Sequence, residues 1–566
     1  MRKMMYRLTL GVFVLLSALM VLLMCGKNEF AEENVRAFIN DLEQRLKPLS
    51  IAANQAYFDA SISGDEADYK KSETAQIQFE KALANRDDFD KIKKYREKAI
   101  LTDSVLKREL DVYYLMFLGK QLPEEQLSKL IEKQTAVEAK YNTFRVQYNG
   151  ESVTDNRVEE ILKTETDSRK LQDIWENSKK IGELVAADII ELVRLRNEIA
   201  TALGYANFHA MELALSEQDP QQIEQLFDEL DTLTRDRFAQ LKGAIDQTLS
   251  QKYGIRPEGM QAWHYQNRFF QEAPAIFPVN LDQYYQDQDI AQLTRDYYQG
   301  IGLPIEDILA KSDLYEKPGK FQHAYCTDID RQGDVRVVCN IKANQSWMGT
   351  MLHEMGHAVY SKYYDQRLPW ILHDAAHPFT TEAIAMMIER MAVNAQWMKE
   401  MVGISEEESE KISEPAFKSL QLEQLVFSRW AQVMYRFEKS MYENPDQDLN
   451  ALWWQLVEKY QMIKAPEGRN APDWAAKIHV ALFPVYYHNY LMGAILASQL
   501  QYYIGHTVLA QSDQPSPALL KDARIGQFLT DKVFHPGALY PWNEMIEKAT
   551  GEKLTAKYYA NQFVGN

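Results

Sequence analysis

From Asn34 to about Leu249, apolar residues recur at three- and four-residue intervals among charged ones, as in Val158-Glu159-Glu160-Ile161-Leu162 and Ile189-Ile190-Glu191-Leu192-Val193. That period draws one apolar stripe along each of a series of amphipathic helices and leaves little room for sheet. Helical character returns from Ser346 to the C-terminus, interrupted near Pro369, Pro378, Pro445, Pro466-Glu467-Gly468, Pro515-Ser516-Pro517 and Pro536-Gly537. Further breaks fall at Gly254 to Gly259 and at Gly302-Leu303-Pro304. Only Val335 to Ile341 alternates at period two, with Val335, Val337, Cys339 and Ile341 on one face. The expectation is a mainly α body with one small antiparallel hairpin in its middle. The 566 residues exceed the usual single core of about 250 to 300 residues, yet no repeat and no long linker divides them. One large helical domain over 26–566, built as two lobes, is therefore expected.

A hydrophobic fraction of 46 % with 25 % charged residues excludes wholesale disorder. The formal charge of −18 and the lack of a dense Lys/Arg stripe exclude a phosphate-neutralising surface, so nucleic acid is not expected as a partner.

Arg2, Lys3 and Arg7 precede an apolar run from Leu8 to Met24, followed by the polar Gly26-Lys27-Asn28-Glu29. This is the layout of a signal peptide over 1–25, with a signal anchor as the alternative. Cys25 before Gly26 resembles the lipidated cysteine of a bacterial lipoprotein signal, although Met24 replaces the small residue usual at that place. Cleavage further along, discarding Cys25, is the other reading. Either way the chain is expected to be exported, to the bacterial periplasm or as a lipoprotein anchored in the outer membrane. Membrane contact is then confined to the N-terminal signal or lipid.

Cys326 and Cys339 flank the expected hairpin. With Gln332-Gly333 as a two-residue turn, Cys326 stands opposite Cys339 at a non-hydrogen-bonded pair, within reach of a disulfide. Two buried free thiols are the alternative.

The pattern His353-Glu354-Met355-Gly356-His357 lies in a helical, apolar context. Residues four apart share a helix face, so His353 and His357 can offer ring nitrogens to one Zn²⁺ while Glu354, about 100° round, is placed to take a proton from water. At this composition chance supplies at most about 0.03 such patterns per chain, which makes the motif specific. A catalytic zinc needs a third protein ligand and an open position. Tyr363 rules out a histidine six residues after His357, leaving Asp365, Asp374, Glu382 and Glu389 within the next forty residues. Glu382 is favoured because it opens the helical stretch Ala383 to Glu389 after the breaker Pro378 and the capping candidates Thr380 and Thr381; Glu389 is next.

These residues resemble the zinc peptidyl-dipeptidases of the angiotensin-converting-enzyme family. The resemblance continues through Ala376-His377-Pro378-Phe379-Thr380-Thr381-Glu382, Tyr315-Glu316-Lys317-Pro318 with His323-Ala324, Trp453-Trp454-Gln455-Leu456, Lys459-Tyr460-Gln461, Lys477-Ile478-His479-Val480 and Tyr487 to Tyr490. Weaker similarity spans about Val35 to the C-terminus. It implies one ellipsoidal helical body split by a deep channel, with a short sheet beside the zinc. It also implies that His353, His357 and Glu382 hold the metal and that Glu354 is the base. Gln261, Lys477 and Tyr487 would hold the free C-terminal carboxylate of an oligopeptide, and His323 and His479 would contact its last peptide carbonyl. Tyr490 would donate to the oxyanion, and Ala324 lies on the strand that would pair with the extended substrate.

Two departures stand out. Asn489 occupies the place where chloride-activated members carry an Arg, which argues against chloride as a cofactor. Met386 replaces the family's Asp, so support for the zinc ligands must come from elsewhere or be missing.

The resulting expectation is a monomeric zinc peptidase removing dipeptides from the free C-termini of oligopeptides. A thimet-oligopeptidase-like endopeptidase is the rival within the same chemistry. A non-catalytic peptide-binding lipoprotein is the rival outside it, against which the intact Glu354 speaks.

Overall fold

The computed structural model describes residues 29–565 apart from 123, 278 and 512–515, so the 1–25 leader and Cys25 lie outside the described residues. The structure is 69 % helical, and the mainly α expectation holds. Seven helices carry or enclose the site: α1 (Glu32–Ser63), α2 (Ser168–Ala202), α3 (Pro220–Tyr253), α4 (Gln345–Lys362), α5 (Pro378–Glu389), α6 (Glu406–Glu443) and α7 (His488–Tyr503). Their starts are set by their sequences. Asp167 accepts the Arg169 and Lys170 N–H groups ahead of α2, and Asp219 caps α3 in the same way, whose first residue is proline. Ser405 and Glu408 form a reciprocal capping box on α6.

The buried stripes of α2, α3, α6 and α7 meet in one large core that encloses Trp175, Trp397, Trp430 and Trp474. A second apolar cluster joins the start of α1 (Val35, Phe38, Leu42) to Leu106, Tyr113, Phe117 and Trp370-Ile371-Leu372. No described helix is long and apolar enough to cross a membrane.

Two antiparallel hairpins are described where one was expected. The first pairs β1 (Val146–Tyr148) with β2 (Glu151–Val153) around Asn149-Gly150, both at positive φ. Asn-Gly is the favoured pair for such a two-residue turn, but strands of three residues are too short to register as an alternating pattern. The second pairs β3 (Tyr325–Asp328) with β4 (Val335–Val338), and its register corrects the expected turn. Cys326 lies opposite Val337 in this register. Asp328 Oδ1 accepts the Arg331 N–H at 2.7 Å, while Asp330 Oδ1 accepts those of Gln332 and Asp334 at 2.7 and 3.0 Å. These aspartates close a wide loop on their own side chains, with Arg331 and Gly333 at positive φ, in place of a tight turn at Gln332-Gly333. Cys326 and Cys339 are therefore out of register, and both are free thiols. The expected disulfide is corrected accordingly. Burial pushes both thiols up and keeps them protonated.

Candidate metal centre

The metal-binding geometry is built where α4 and α5 cross. Gly356 sits at the crossing: a Cβ there would come within 2.7 Å of the Ala385 Cα, so only glycine lets the helices approach this closely. The second close approach is at Gly493 on α7, where a Cβ would lie 3.2 Å from the Glu382 Cγ. α5 starts earlier than expected. His377 is its N-cap, accepting the Phe379 N–H through Nδ1, and Pro378 is its first residue, where a missing N–H costs nothing. Thr380 and Thr381 are consequently inside the helix, and Thr381 is freed for another task.

His353, His357 and Glu382 converge. The two Nε2 atoms are 3.2 Å apart, Glu382 Oε1 is 3.7 Å from His353 Nε2, and Glu382 Oε2 is 3.5 Å from His357 Nε2. Donors each about 2.05 Å from a tetrahedral zinc stand about 3.3 Å apart; the two nitrogens meet that spacing, and each Glu382 oxygen lies a few tenths of an ångström beyond it from one of them, so the group can close on one ion. Charge points the same way. Glu354, Glu382 and Glu389 crowd two imidazoles, and among the described residues no Lys or Arg lies within ion-pair distance of any of the three. An excess of carboxylate around two imidazoles, with Glu354 buried and Glu382 largely so, is what a dication neutralises.

The outer nitrogens are fixed as well. His353 Nδ1 meets Glu389 Oε2 at 2.9 Å, and His357 Nδ1 meets Thr381 Oγ1 at 2.9 Å. Glu389, an alternative metal ligand on sequence grounds, lies outside the donor group and contacts the outer nitrogen of His353, a place from which it could give the support that Met386 does not. Glu354 is buried beside the triad, and burial raises its carboxyl against the opposing pull of His353 and His357.

A second cluster gathers at the start of α7, one turn from Tyr490. Lys477 Nζ donates to Gln271 Oε1 at 2.6 Å and sits 5.5 Å from the centre of the Tyr487 ring. Burial, reinforced by Arg268, lowers Lys477 to about 8. Gln261 is not part of this cluster. It caps the short turn Ala262–His264, with its own N–H donating to His264 Nδ1 at 2.8 Å. The amide beside Lys477 is that of Gln271, which no periodic or motif signal marks in the sequence.

His479 packs 5.1 Å from the Tyr487 ring, and burial with the neighbouring Lys477 lowers it to about 4, leaving a neutral imidazole. Tyr490 lies 5.5 Å from Tyr487; burial and the Glu382 carboxylate raise its phenol and keep it a donor. Tyr490 thus connects the Lys477 cluster to the histidine-carboxylate triad. A cavity of about 830 Å³ is bordered by Gln271 and Tyr487 of the Lys477 cluster and by Glu389, the carboxylate behind His353. His323 is exposed and Ala324 immediately precedes β3, so Ala324 lies on the lead-in to that strand, outside its ladder. Asn489 is buried and accepts the Gln218 amide at 2.7 Å, so no cation stands at that position.

Comparison with known proteins places the chain in a family. A family model described as angiotensin-converting enzyme matches residues 29–563. The angiotensin-converting enzyme of Haematobia irritans exigua is 24 % identical over 493 residues, covering 78 % of each chain. That of Theromyzon tessulatum is 22 % identical over 497 residues, covering 81 % of this chain and 79 % of the relative. A longer relative of the same name from Mesocricetus auratus is 24 % identical over 485 residues, of which 78 % of this chain but only 36 % of the relative is covered. The chain belongs to the angiotensin-converting enzyme family of metallopeptidases.

Proposed function

We propose that the chain is a zinc-dependent peptidyl-dipeptidase that releases dipeptides from oligopeptides with a free C-terminus. One observation supports this reading: Lys477, Gln271 and Tyr487 cluster one helical turn from Tyr490, whose phenol feels the charge of Glu382 in the His353, His357 and Glu382 group. His353, His357 and Glu382 would hold the metal. Zinc bound there supplies Lewis acidity to a water and to the peptide carbonyl.

The remaining chemistry belongs to side chains. The Glu354 carboxylate accepts the proton of the attacking water and passes it to the leaving amine. The Tyr490 phenol donates to the oxygen that gains charge in the transition state. Lys477 and Tyr487 donate to the C-terminal carboxylate, with Gln271 holding the ammonium in place, and His479 and His323 contact the last peptide carbonyl. A carboxylate anchor set at a fixed distance from the hydrolytic site measures off the residues to be removed. The basic start and apolar run of residues 1–25 support export of such an enzyme.

Product mass spectrometry on a peptide mixture tests the proposal. C-terminal dipeptides are expected from free-acid peptides and not from their amides. Equal cleavage of both, or internal products only, would favour an endopeptidase and contradict the reading.

A further inference from the structure

The residues that would bind the substrate carboxylate are mounted on a backbone turn that is unfavourable on its own. Val485, two residues before Tyr487, has φ +54°, a conformation that β-branched residues rarely adopt. Such outliers persist only where their surroundings enforce them, and they concentrate at functional sites. Here the enforcing groups are two buried side chains from the core helices. Glu438 on α6, 3 % exposed, accepts the Val485 N–H through Oε1 at 2.7 Å. Arg196 on α2, 1 % exposed, donates through Nη2 to the Ala481 carbonyl at 2.7 Å and through Nη1 to the Tyr442 hydroxyl at 3.1 Å, one turn along α6 from Glu438. The segment between His479 and Tyr487 is thus gripped at both ends by groups that touch neither the metal donors nor the cavity.

We infer that Glu438, seconded by Arg196, is a positioning residue for the carboxylate anchor: it holds Val485 in its strained turn and so sets where Tyr487 stands. The inference rests on the proposed dipeptidase reading. The hydrogen bond of this buried carboxyl goes to the turn, and the charge that faces it is that of Arg196, which holds the same segment.

Steady-state kinetics of the zinc-loaded full chain, on one peptide as free acid and as amide, decides the matter. Glu438→Met fills the space without accepting the N–H, and is expected to raise KM for the free acid about tenfold while leaving kcat within about twofold, as loss of uniform binding does. Glu438→Gln keeps an acceptor and is expected to match the wild type. Adding Val485→Gly to Glu438→Met removes the strain and is expected to recover most of the lost KM. If Glu438→Met does not fold, Glu438→Ala is read in the same way. An unchanged KM, a fall confined to kcat, or no recovery in the glycine double variant overturns the inference while leaving the dipeptidase reading intact. A wild-type chain that does not distinguish acid from amide overturns both.

Discussion

The histidine that binds a metal is only as good as the group behind it, and in this chain the two supporting groups differ. Glu389 holds His353 through a carboxylate, whereas Thr381 holds His357 through a hydroxyl. Glu389→Ala is expected to weaken zinc binding by about 10- to 100-fold, read by competition with a chromogenic chelator, while the fold persists by circular dichroism. Glu354 offers the opposite dissociation. Glu354→Gln is expected to keep one zinc per chain by elemental analysis and to lose about 10²- to 10⁴-fold in kcat. Lys477 gives the site a pH signature. Because burial lowers it to about 8, its charge is present below that pH and lost above it. KM for free-acid peptides is therefore expected to climb as pH passes about 8, in a profile that Lys477→Ala abolishes.

The elements that carry these residues are unevenly legible in the sequence. His353 and His357 announce themselves because a helix repeats its face every four residues, and Glu382 is reached from a helix start after a break. The true start, Pro378 under a His377 cap, is hidden because histidine is an uncommon cap and proline reads as a breaker until its place at the first helical position is known. The β3-β4 register is obscured for a related reason: side-chain closure by Asp328 and Asp330 competes with the Gln332-Gly333 turn, and spacing does not reveal which wins. Gln271 carries no signal at all, since a lone amide fits loop, cap or ligand equally. The role of Gly356 is likewise invisible inside the histidine motif. Its substitution by alanine would press on the Ala385 backbone, and Gly356→Ala is expected to cost about 1 to 3 kcal/mol in denaturant unfolding while loosening zinc.

For the molecule as a whole, helical period and composition are enough to reach the fold class. The arrangement of the two apolar cores and of the cavity is not reached this way, because it depends on contacts such as that between Glu438 and Val485, 47 residues apart. The proposed metal donors come from two packed helices, so the apo chain is expected to stay folded. Chelation should lower its melting temperature without loss of helix signal, in proportion to a stabilisation of about 4 kcal/mol when free zinc is a thousandfold above its dissociation constant. All of the proposed chemistry depends on one ion in one place. X-ray data collected on either side of the zinc absorption edge are expected to show a single anomalous peak enclosed by His353 Nε2, His357 Nε2 and a Glu382 carboxylate oxygen. A zinc-supplied crystal with no peak there, or with its ordered zinc elsewhere in the chain, would contradict it.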